Sequence, residues 1–94
     1  MSPRVQRIGR ALVVQLGGLT RVVPASGDAY WMDAAGRIGR DDPDEDVVHW
    51  ATIVRGRLVA VESITTTDDM AELLQRVIDV GLDEAGIVDV PPRD

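Results

Sequence analysis

The sequence predicts an α+β fold: an antiparallel β-meander of five to six strands with one C-terminal amphipathic helix packed on the sheet. Valine is the most frequent apolar residue, and short valine-rich runs alternate with turn-forming residues. One segment near the C-terminus repeats its apolar residues at helical spacing. The 94 residues are expected to form one small domain, with residues 1–9 as a flexible basic arm and residues 83–94 as a flexible tail.

The longest β-forming stretch predicts a hairpin of two strands, Val47–Val54 and Arg57–Ile64. Residues 55–56 form the connecting loop, because its glycine readily takes the positive φ that a two-residue loop requires. Counting pairs back from this loop puts His49 opposite Glu62. Both faces of the hairpin are mostly apolar, which predicts a central hairpin that is covered on both sides.

A second hairpin is predicted nearer the N-terminus, where Ala11–Leu16 and Leu19–Val23 flank Gly17–Gly18. In the predicted register, one face of this hairpin is largely apolar and the other is mixed. The alternative is a helix that ends at the same glycines, but its β-branched residues favour the hairpin.

Shorter elements are predicted between the two hairpins. Ala29–Asp33 is rich in aromatic residues and is expected to be a short strand. Asp33–Gly36 has aspartate first and glycine fourth, as a type I turn prefers. Arg37–Gly39 is then expected to pair back on the aromatic strand, and Arg40–Asp46 to form a solvated acidic loop.

The predicted helix covers Thr67–Val80 and is the expected cover for the hairpin that precedes it. Thr67 is the expected N-cap, acidic residues follow it in the first turn, and Gly81 is expected to end the helix. Ile87–Val90 is interpreted either as an edge strand or as part of a disordered tail. The apolar stripe of the helix consists of Met70, Leu73, Leu74, Val77 and Ile78.

The composition restricts the chemistry that the chain can perform. It has no cysteine, which excludes disulfides, thiol catalysis and cysteine-bound zinc. All 10 basic residues are arginine, which excludes a phosphate-loop lysine and Schiff-base chemistry. The net charge of −6 and the pI near 4.6 argue against general binding to nucleic acid backbones. We expect no cofactor and no metal.

The composition also suggests an origin and a location. Lysine, asparagine and phenylalanine have AT-rich codons, and all three are absent, so we expect a high-GC bacterium or one of its phages as the source. No apolar run approaches the length of a membrane span. The arginine-rich start followed by Ala11–Leu19 loosely resembles a signal peptide, but glycines interrupt its apolar region. The expected location is cytoplasmic, without a membrane partner.

The acidic loop is the densest group of ionisable side chains. Its alternating carboxylates resemble the start of a calcium loop, but Val47 takes the place of the required glycine and Ile53 that of the final glutamate. We interpret the loop as solvated or as facing a partner. Exposed aromatic side chains are typical binding anchors, and strand alternation puts two adjacent aromatic residues on opposite faces. The partner-binding candidates are therefore Asp41, Asp42, Asp44, Glu45, Asp46, Tyr30 and Trp31.

The chain has a single histidine, His49, which is predicted to form an acid–base or structural pair with Glu62. A serine nucleophile is missing from this pair, because the predicted register puts Ser63 on the opposite face of the hairpin. We therefore predict no catalytic residues and expect that the protein is not an enzyme.

These observations favour a non-catalytic, small acidic protein-binding module, such as a phage or bacterial accessory or inhibitor protein that acts on a larger protein. The expected partner is another protein. One alternative is a self-assembling structural subunit, a homo-oligomer whose sheet edges pair between copies. A second is a nucleic-acid-associated protein that uses Arg4, Arg7 and Arg10. A third is a hydrolase or lyase that uses His49 and Glu62.

Overall fold

The computed structural model describes the backbone of residues 3–88 and the side chains of residues 3–81. Over this range, seven strands form one antiparallel sheet in chain order, and one helix follows them. This confirms the predicted α+β meander, although the sheet has seven strands and five to six were predicted. The elements are β1 (Arg4–Ile8), β2 (Ala11–Leu16), β3 (Leu19–Val23), β4 (Tyr30–Met32), β5 (Ile38–Asp41), β6 (Val47–Val54), β7 (Arg57–Thr65) and α1 (Asp68–Val88).

The additional strand is β1, which lies where a flexible basic arm was predicted. It pairs with β2 from Arg4 opposite Gln15 to Ile8 opposite Ala11. The tight turn between the two strands contains Gly9 at a φ of 60°, a conformation that glycine takes without steric cost. The prediction of an arm is therefore wrong over β1, which is one edge of the sheet.

The β2–β3 hairpin has the predicted bounds and the predicted register, from Leu12 opposite Val23 to Leu16 opposite Leu19. Side chains alternate between the two faces of such a sheet. We call the face that packs against α1 the covered face, and the other one the open face. Leu12 and Val14 are buried on the covered face, which is the face that the sequence predicted to be largely apolar.

The helix α1 lies closest to β2 and β3 and shares one buried cluster with residues of β6, so it is centred on β2 and β3 and not, as predicted, on the hairpin that it follows. Thr67 is the N-cap as predicted, since its Oγ accepts a hydrogen bond from the Met70 amide at 3.3 Å. Met70 and Leu73 are buried against the sheet, whereas Ile78 is exposed. The apolar stripe therefore packs mainly through its N-terminal half.

The predicted end of the helix at Gly81 is wrong, because α1 continues to Val88. A single glycine inside a helix costs about 1 kcal/mol relative to alanine, which neighbouring residues with better helix propensity can offset. Ile87–Val88 is consequently helical, and the predicted edge strand is wrong there. Residues 89–94 lie outside the described part of the chain.

The β6–β7 hairpin lies at the end of the sheet opposite β1, so it is not the central hairpin that was predicted. Its strands begin and end as predicted, except that β7 continues to Thr65. The loop residues Arg55 and Gly56 have φ values of 53° and 77°, which are typical of a type I′ turn. Among the described elements, none packs on the open face of this hairpin.

The register of this hairpin shifts by one residue between Thr52 and Ile53. Thr52 pairs with Ala60 and Ile53 pairs with Leu58, so the intervening Val59 has no partner in the register. This is a β-bulge, which bends a strand and changes the pairing beyond it. The pairs closer to the loop match the prediction, and those beyond the bulge are displaced by one residue.

The centre of the covered face is a row in which Gly39 lies between two tryptophans on neighbouring strands. It pairs with Trp31 on β4 and with Trp50 on β6, and both indole rings are buried. The guanidinium of Arg21 lies 4.6 Å from the centre of the Trp31 ring, and that of Arg37 lies 5.3 Å from the Trp50 ring. Such cation–π contacts complete the burial of the two rings.

Asp33 stabilises the turn between β4 and β5. Its carbonyl oxygen accepts a hydrogen bond from the Gly36 amide at 3.1 Å, which confirms the predicted turn. Its carboxylate accepts hydrogen bonds from the amides of Ala35 and Arg37 and from Nε of Arg37, at 3.1, 2.7 and 2.6 Å. Burial raises the pKa of Asp33, but the hydrogen bonds and charge of Arg37 outweigh this effect and lower the pKa overall.

We expect Asp33 to make the stability of the protein sensitive to acid. A carboxyl group with a lowered pKa in the folded state stabilises above its unfolded pKa of about 4 and loses this contribution as the pH falls through the lower folded value. The difference in unfolding free energy between the wild type and Asp33→Asn should therefore be constant near neutral pH and shrink below about pH 4. Urea denaturation at several pH values measures it.

The control for the loss of one negative charge is Asp28→Asn, in an exposed loop. If the difference for Asp33→Asn stays constant down to about pH 2, where carboxylates are mostly protonated, this role of Asp33 is contradicted.

Candidate functional site

The open face is mostly apolar over β4 to β7 and mixed over β1 to β3. One row of paired residues crosses the sheet from Gln15 on β2 through Met32 and Ile38 to Val61 on β7. Monomeric proteins rarely expose apolar patches of more than a few hundred Å², and such patches often mark interaction sites. The large apolar side chains on this face with exposed fractions of 37% to 63% are Ile8, Met32, Ile53, Leu58 and Val61.

The charged residues that the strands place on the open face are basic. Arg4 pairs with Gln15 at one end of the sheet, and Arg40 pairs with His49 near the other. The register places no aspartate or glutamate of the seven strands on this face, although the chain has a net charge of −6. The strands therefore contribute only basic charges to the open face, and the acidic side chains beside it come from the loops: Asp42 contacts His49, and Asp28 lines the second groove together with Arg40.

A groove of about 440 Å³ lies on the part of the open face formed by β5, β6 and β7. Its walls are mostly apolar, and Arg40, Asp41 and His49 are its polar lining residues. A second groove, of about 400 Å³, adjoins it around Tyr30 and Met32. The residues that give the first groove its apolar lining are Ile38, Ala51, Ile53, Leu58 and Val61.

Beside the first groove, the single histidine joins a serine to a carboxylate. His49 Nδ1 lies 2.6 Å from Ser63 Oγ, and His49 Nε2 lies 2.8 Å from Asp42 Oδ2. The predicted pair of His49 with Glu62 is wrong, because the bulge at Val59 brings Ser63 opposite His49. The predicted exclusion of Ser63 from the face of His49 is wrong for the same reason.

Glu62 instead lies on the covered face, opposite Trp50. Its Oε1 is 3.2 Å from Nη1 of Arg37, whose guanidinium stacks on the same tryptophan. Glu62 is therefore part of the packing around Trp50 and is separated by the sheet from the open-face groove.

The hydrogen bonds around His49 have a defined direction. An ionised carboxylate only accepts, so the bond to Asp42 requires the proton on Nε2. In neutral imidazole Nδ1 is then the acceptor, and the Ser63 hydroxyl donates to it. The hydrogen bond from His49, together with those from the amides of Asp44 and Glu45, lowers the pKa of Asp42 against a smaller effect of burial. The arrangement is that of a hydroxyl, a base and a carboxylate that orients the base.

The acidic loop divides into two groups of side chains. Asp41 and Asp42 contact other parts of the fold: Asp41 accepts a hydrogen bond from Trp31 Nε1 at 2.8 Å and lies 2.8 Å from Arg21 Nη1. Asp42 binds His49 and two amides of its own loop, as described above. The remaining candidates, Asp44, Glu45 and Asp46, are exposed.

The other predicted site residues are not brought together. Trp31 is fully buried, so it lies in the core and not on a binding surface, whereas Tyr30 lines a groove of the open face. Arg4 is on the open face and Arg7, which pairs with Leu12, is on the covered face. The three basic residues considered for nucleic acid binding therefore do not form a single patch on one face.

Comparison with known proteins gave no match: no family model, no curated protein and no solved structure is similar to this chain. In the described part of the chain, no group of three or more histidine, aspartate or glutamate residues is arranged to hold a metal ion. No helix within the same range is both long and apolar enough to cross a membrane.

Sequence reasoning missed two residues of this site. Ser63 was assigned to the wrong face because the pairing was counted from the turn without a bulge. Arg40 was assigned to a solvated loop, although it belongs to β5 and lies opposite His49. The alternation of Ile38 and Arg40 with Gly39 is the signal from which the position of Arg40 could have been derived.

Proposed function

We propose that this chain is a small acidic protein-binding module that docks its partner on the open face of the sheet. The observation that supports the proposal is the apolar part of the row on this face, from Met32 through Ile38 to Val61, with large side chains exposed to solvent. Burial of such side chains contributes about 25 cal/mol per Å² of apolar area, so covering this face makes the free energy of binding more favourable.

Charge complementarity indicates the chemistry of the partner. Arg4 and Arg40 would be buried or half-buried in the interface, and a buried charge requires a counter-charge. The matching surface is therefore apolar and carries a carboxylate opposite Arg4, whereas Arg40 shares its groove with Asp28 of this chain. Exposed carboxylates at the end of the sheet, from Asp44 to Asp46, would border this interface and favour basic residues of the partner at its rim.

A partner on the open face is better supported than assembly through the β7 edge. The β7 edge is interrupted by the bulge at Val59, and bulges are one of the devices by which edge strands avoid pairing with other chains. The open face has no comparable protection. An accessory or inhibitor protein that acts on a larger target fits this geometry.

Photo-crosslinking tests the proposal. A photoreactive amino acid is placed at Val61 on the open face or at Ile78 on α1, two positions with similar exposed fractions of 58% and 53%. After irradiation in lysate of a high-GC bacterial host, a partner protein should be joined to position 61 and not to position 78. Crosslinks between copies of this chain would instead indicate a homo-oligomer and contradict a separate partner.

The identified partner is then purified, and its Kd is measured by titration calorimetry. Leu58→Asp should raise the Kd at least tenfold, because it puts a carboxylate into the apolar part of the interface. Ile78→Asp is the matched control, since it introduces the same charge on the other side of the molecule and should leave the Kd unchanged. Equal Kd values for the two variants would contradict docking on the open face.

A further inference from the structure

The Ser63–His49–Asp42 group has the features of an activated nucleophile, which the proposed binding function does not use. Ser63 is exposed, so its hydroxyl is accessible from solvent. Its Oγ is 2.6 Å from His49 Nδ1, within the distance at which a base takes a proton in one step. Asp42, at 2.8 Å from the other ring nitrogen, fixes the tautomer in which Nδ1 is free to accept that proton.

We propose that Ser63 is a nucleophile that accepts the acyl group of small apolar esters, with His49 as its general base and Asp42 as a positioning residue. The two nitrogens of His49 exchange the roles that they have in the well-known serine hydrolase triad, where Nε2 faces the serine. Either nitrogen of an imidazole can act as the base, provided that the other carries the oriented proton.

The groove beside His49 indicates the class of substrate. Its apolar walls contain Ile53, Leu58 and Val61, and its volume of about 440 Å³ admits a short acyl chain or an aromatic ring. Arg40, directly opposite His49 on β5, is one of the polar lining residues of the same groove. Arg40 contributes a positive charge to this groove, and positive groups near a developing oxyanion stabilise acyl-transfer transition states.

The reaction has two balanced steps. The Oγ of Ser63 attacks the ester carbonyl carbon while its proton passes to Nδ1 of His49, and the collapse of the tetrahedral adduct breaks the bond to the alcohol, which leaves with that proton. Water then attacks the acyl-serine, gives a proton to His49 and releases the carboxylic acid, and the proton returns to Ser63. No oxidant or reductant is required.

Covalent labelling tests the nucleophile directly. Diisopropyl fluorophosphate phosphorylates activated serines, and peptide mass spectrometry shows which serine carries the label. Ser26, exposed in the loop between β3 and β4, is an internal control in the same molecule. We expect Ser63 to be labelled at least tenfold faster than Ser26, and His49→Gln to reduce the rate at Ser63 to that of Ser26. Equal rates for the two serines in the wild type would overturn the proposal.

The turnover of p-nitrophenyl butyrate provides a second readout. Ser63→Ala should abolish the initial burst of p-nitrophenol, whereas Ser26→Ala should leave it unchanged. Asp42→Asn should lower kcat about tenfold with little change in KM, and Asp42→Glu should restore part of it, because Asp42 acts through His49 and does not touch the ester. A burst that survives in Ser63→Ala would overturn the assignment.

The absence of cysteine from the chain allows one more comparison if a variant folds poorly. Ser63→Cys and Ser26→Cys each introduce the single thiol of the protein. A thiol next to an oriented base reacts faster because more of it is thiolate. The rate of iodoacetamide alkylation at position 63 should exceed that at position 26 at least tenfold at neutral pH, with circular dichroism as the check on folding. Equal rates would count against His49 as a base.

Discussion

Replacement of Gly39 with alanine is expected to destabilise the protein by about 1–3 kcal/mol, which is typical of overpacking in a well-packed core. A Cβ at this position would lie 2.7 Å from Cγ1 of Val48 and 3.1 Å from side-chain atoms of both Trp31 and Trp50. None of these neighbours can move aside easily, because the side chains of Val48, Trp31 and Trp50 are all buried. Gly39→Val should be more destabilising still, since it adds two further methyl groups to the same space.

Urea denaturation followed by tryptophan fluorescence measures this effect, since both tryptophans lie next to the substituted position. The control is Gly81→Ala, where the added Cβ has no atom within 4 Å and the backbone is helical. That variant should be stabilised by about 0.5–1 kcal/mol, the difference in helix propensity between the two residues. A Gly39→Ala protein as stable as the wild type would contradict the packing of the two rings around Gly39.

The parts of the fold that could be predicted from sequence are those decided by local rules. The β2–β3 register follows from a two-residue loop, and the structure has every predicted pair from Leu12 opposite Val23 onward. The N-cap at Thr67 follows from its side-chain oxygen and the acidic residues after it. In both cases a few adjacent residues are sufficient to specify the geometry.

The bulge at Val59 could not be predicted by the same rules. No glycine or proline marks it, and the extra residue is apolar like its neighbours. A bulge bends its strand and increases the local twist, so whether a strand adopts one depends on its packing in the sheet, which is a tertiary property. One displaced residue was enough to exchange Glu62 for Ser63 opposite His49, and so to change the chemistry that the hairpin presents.

The docking position of the helix was also beyond the reach of local rules. The apolar stripe of α1 shows which side of the helix is buried, but not which strands it packs against. The hairpin that precedes the helix was the natural choice by sequence order, and the helix instead reaches β2 and β3 across the sheet. The consequence for function is large, because this placement leaves the whole open face without a cover from the described helix.

The contact of α1 with the sheet leads to the other large expected effect. Leu73 is fully buried between the helix and the sheet. Leu73→Ala should destabilise the protein by about 3 kcal/mol, within the range found when buried leucines are truncated and a cavity remains. In a domain of this size the total stability is on the order of 5–10 kcal/mol, so the midpoint of urea unfolding should move by a large fraction of its value.

Ile78→Ala is the matched control for this prediction, because Ile78 lies on the same helix and also belongs to the predicted apolar stripe, but its side chain is 53% exposed. Its loss should change the unfolding free energy by no more than about 0.5 kcal/mol, as for most surface substitutions. Equal effects of the two substitutions would show that the helix does not dock through Leu73.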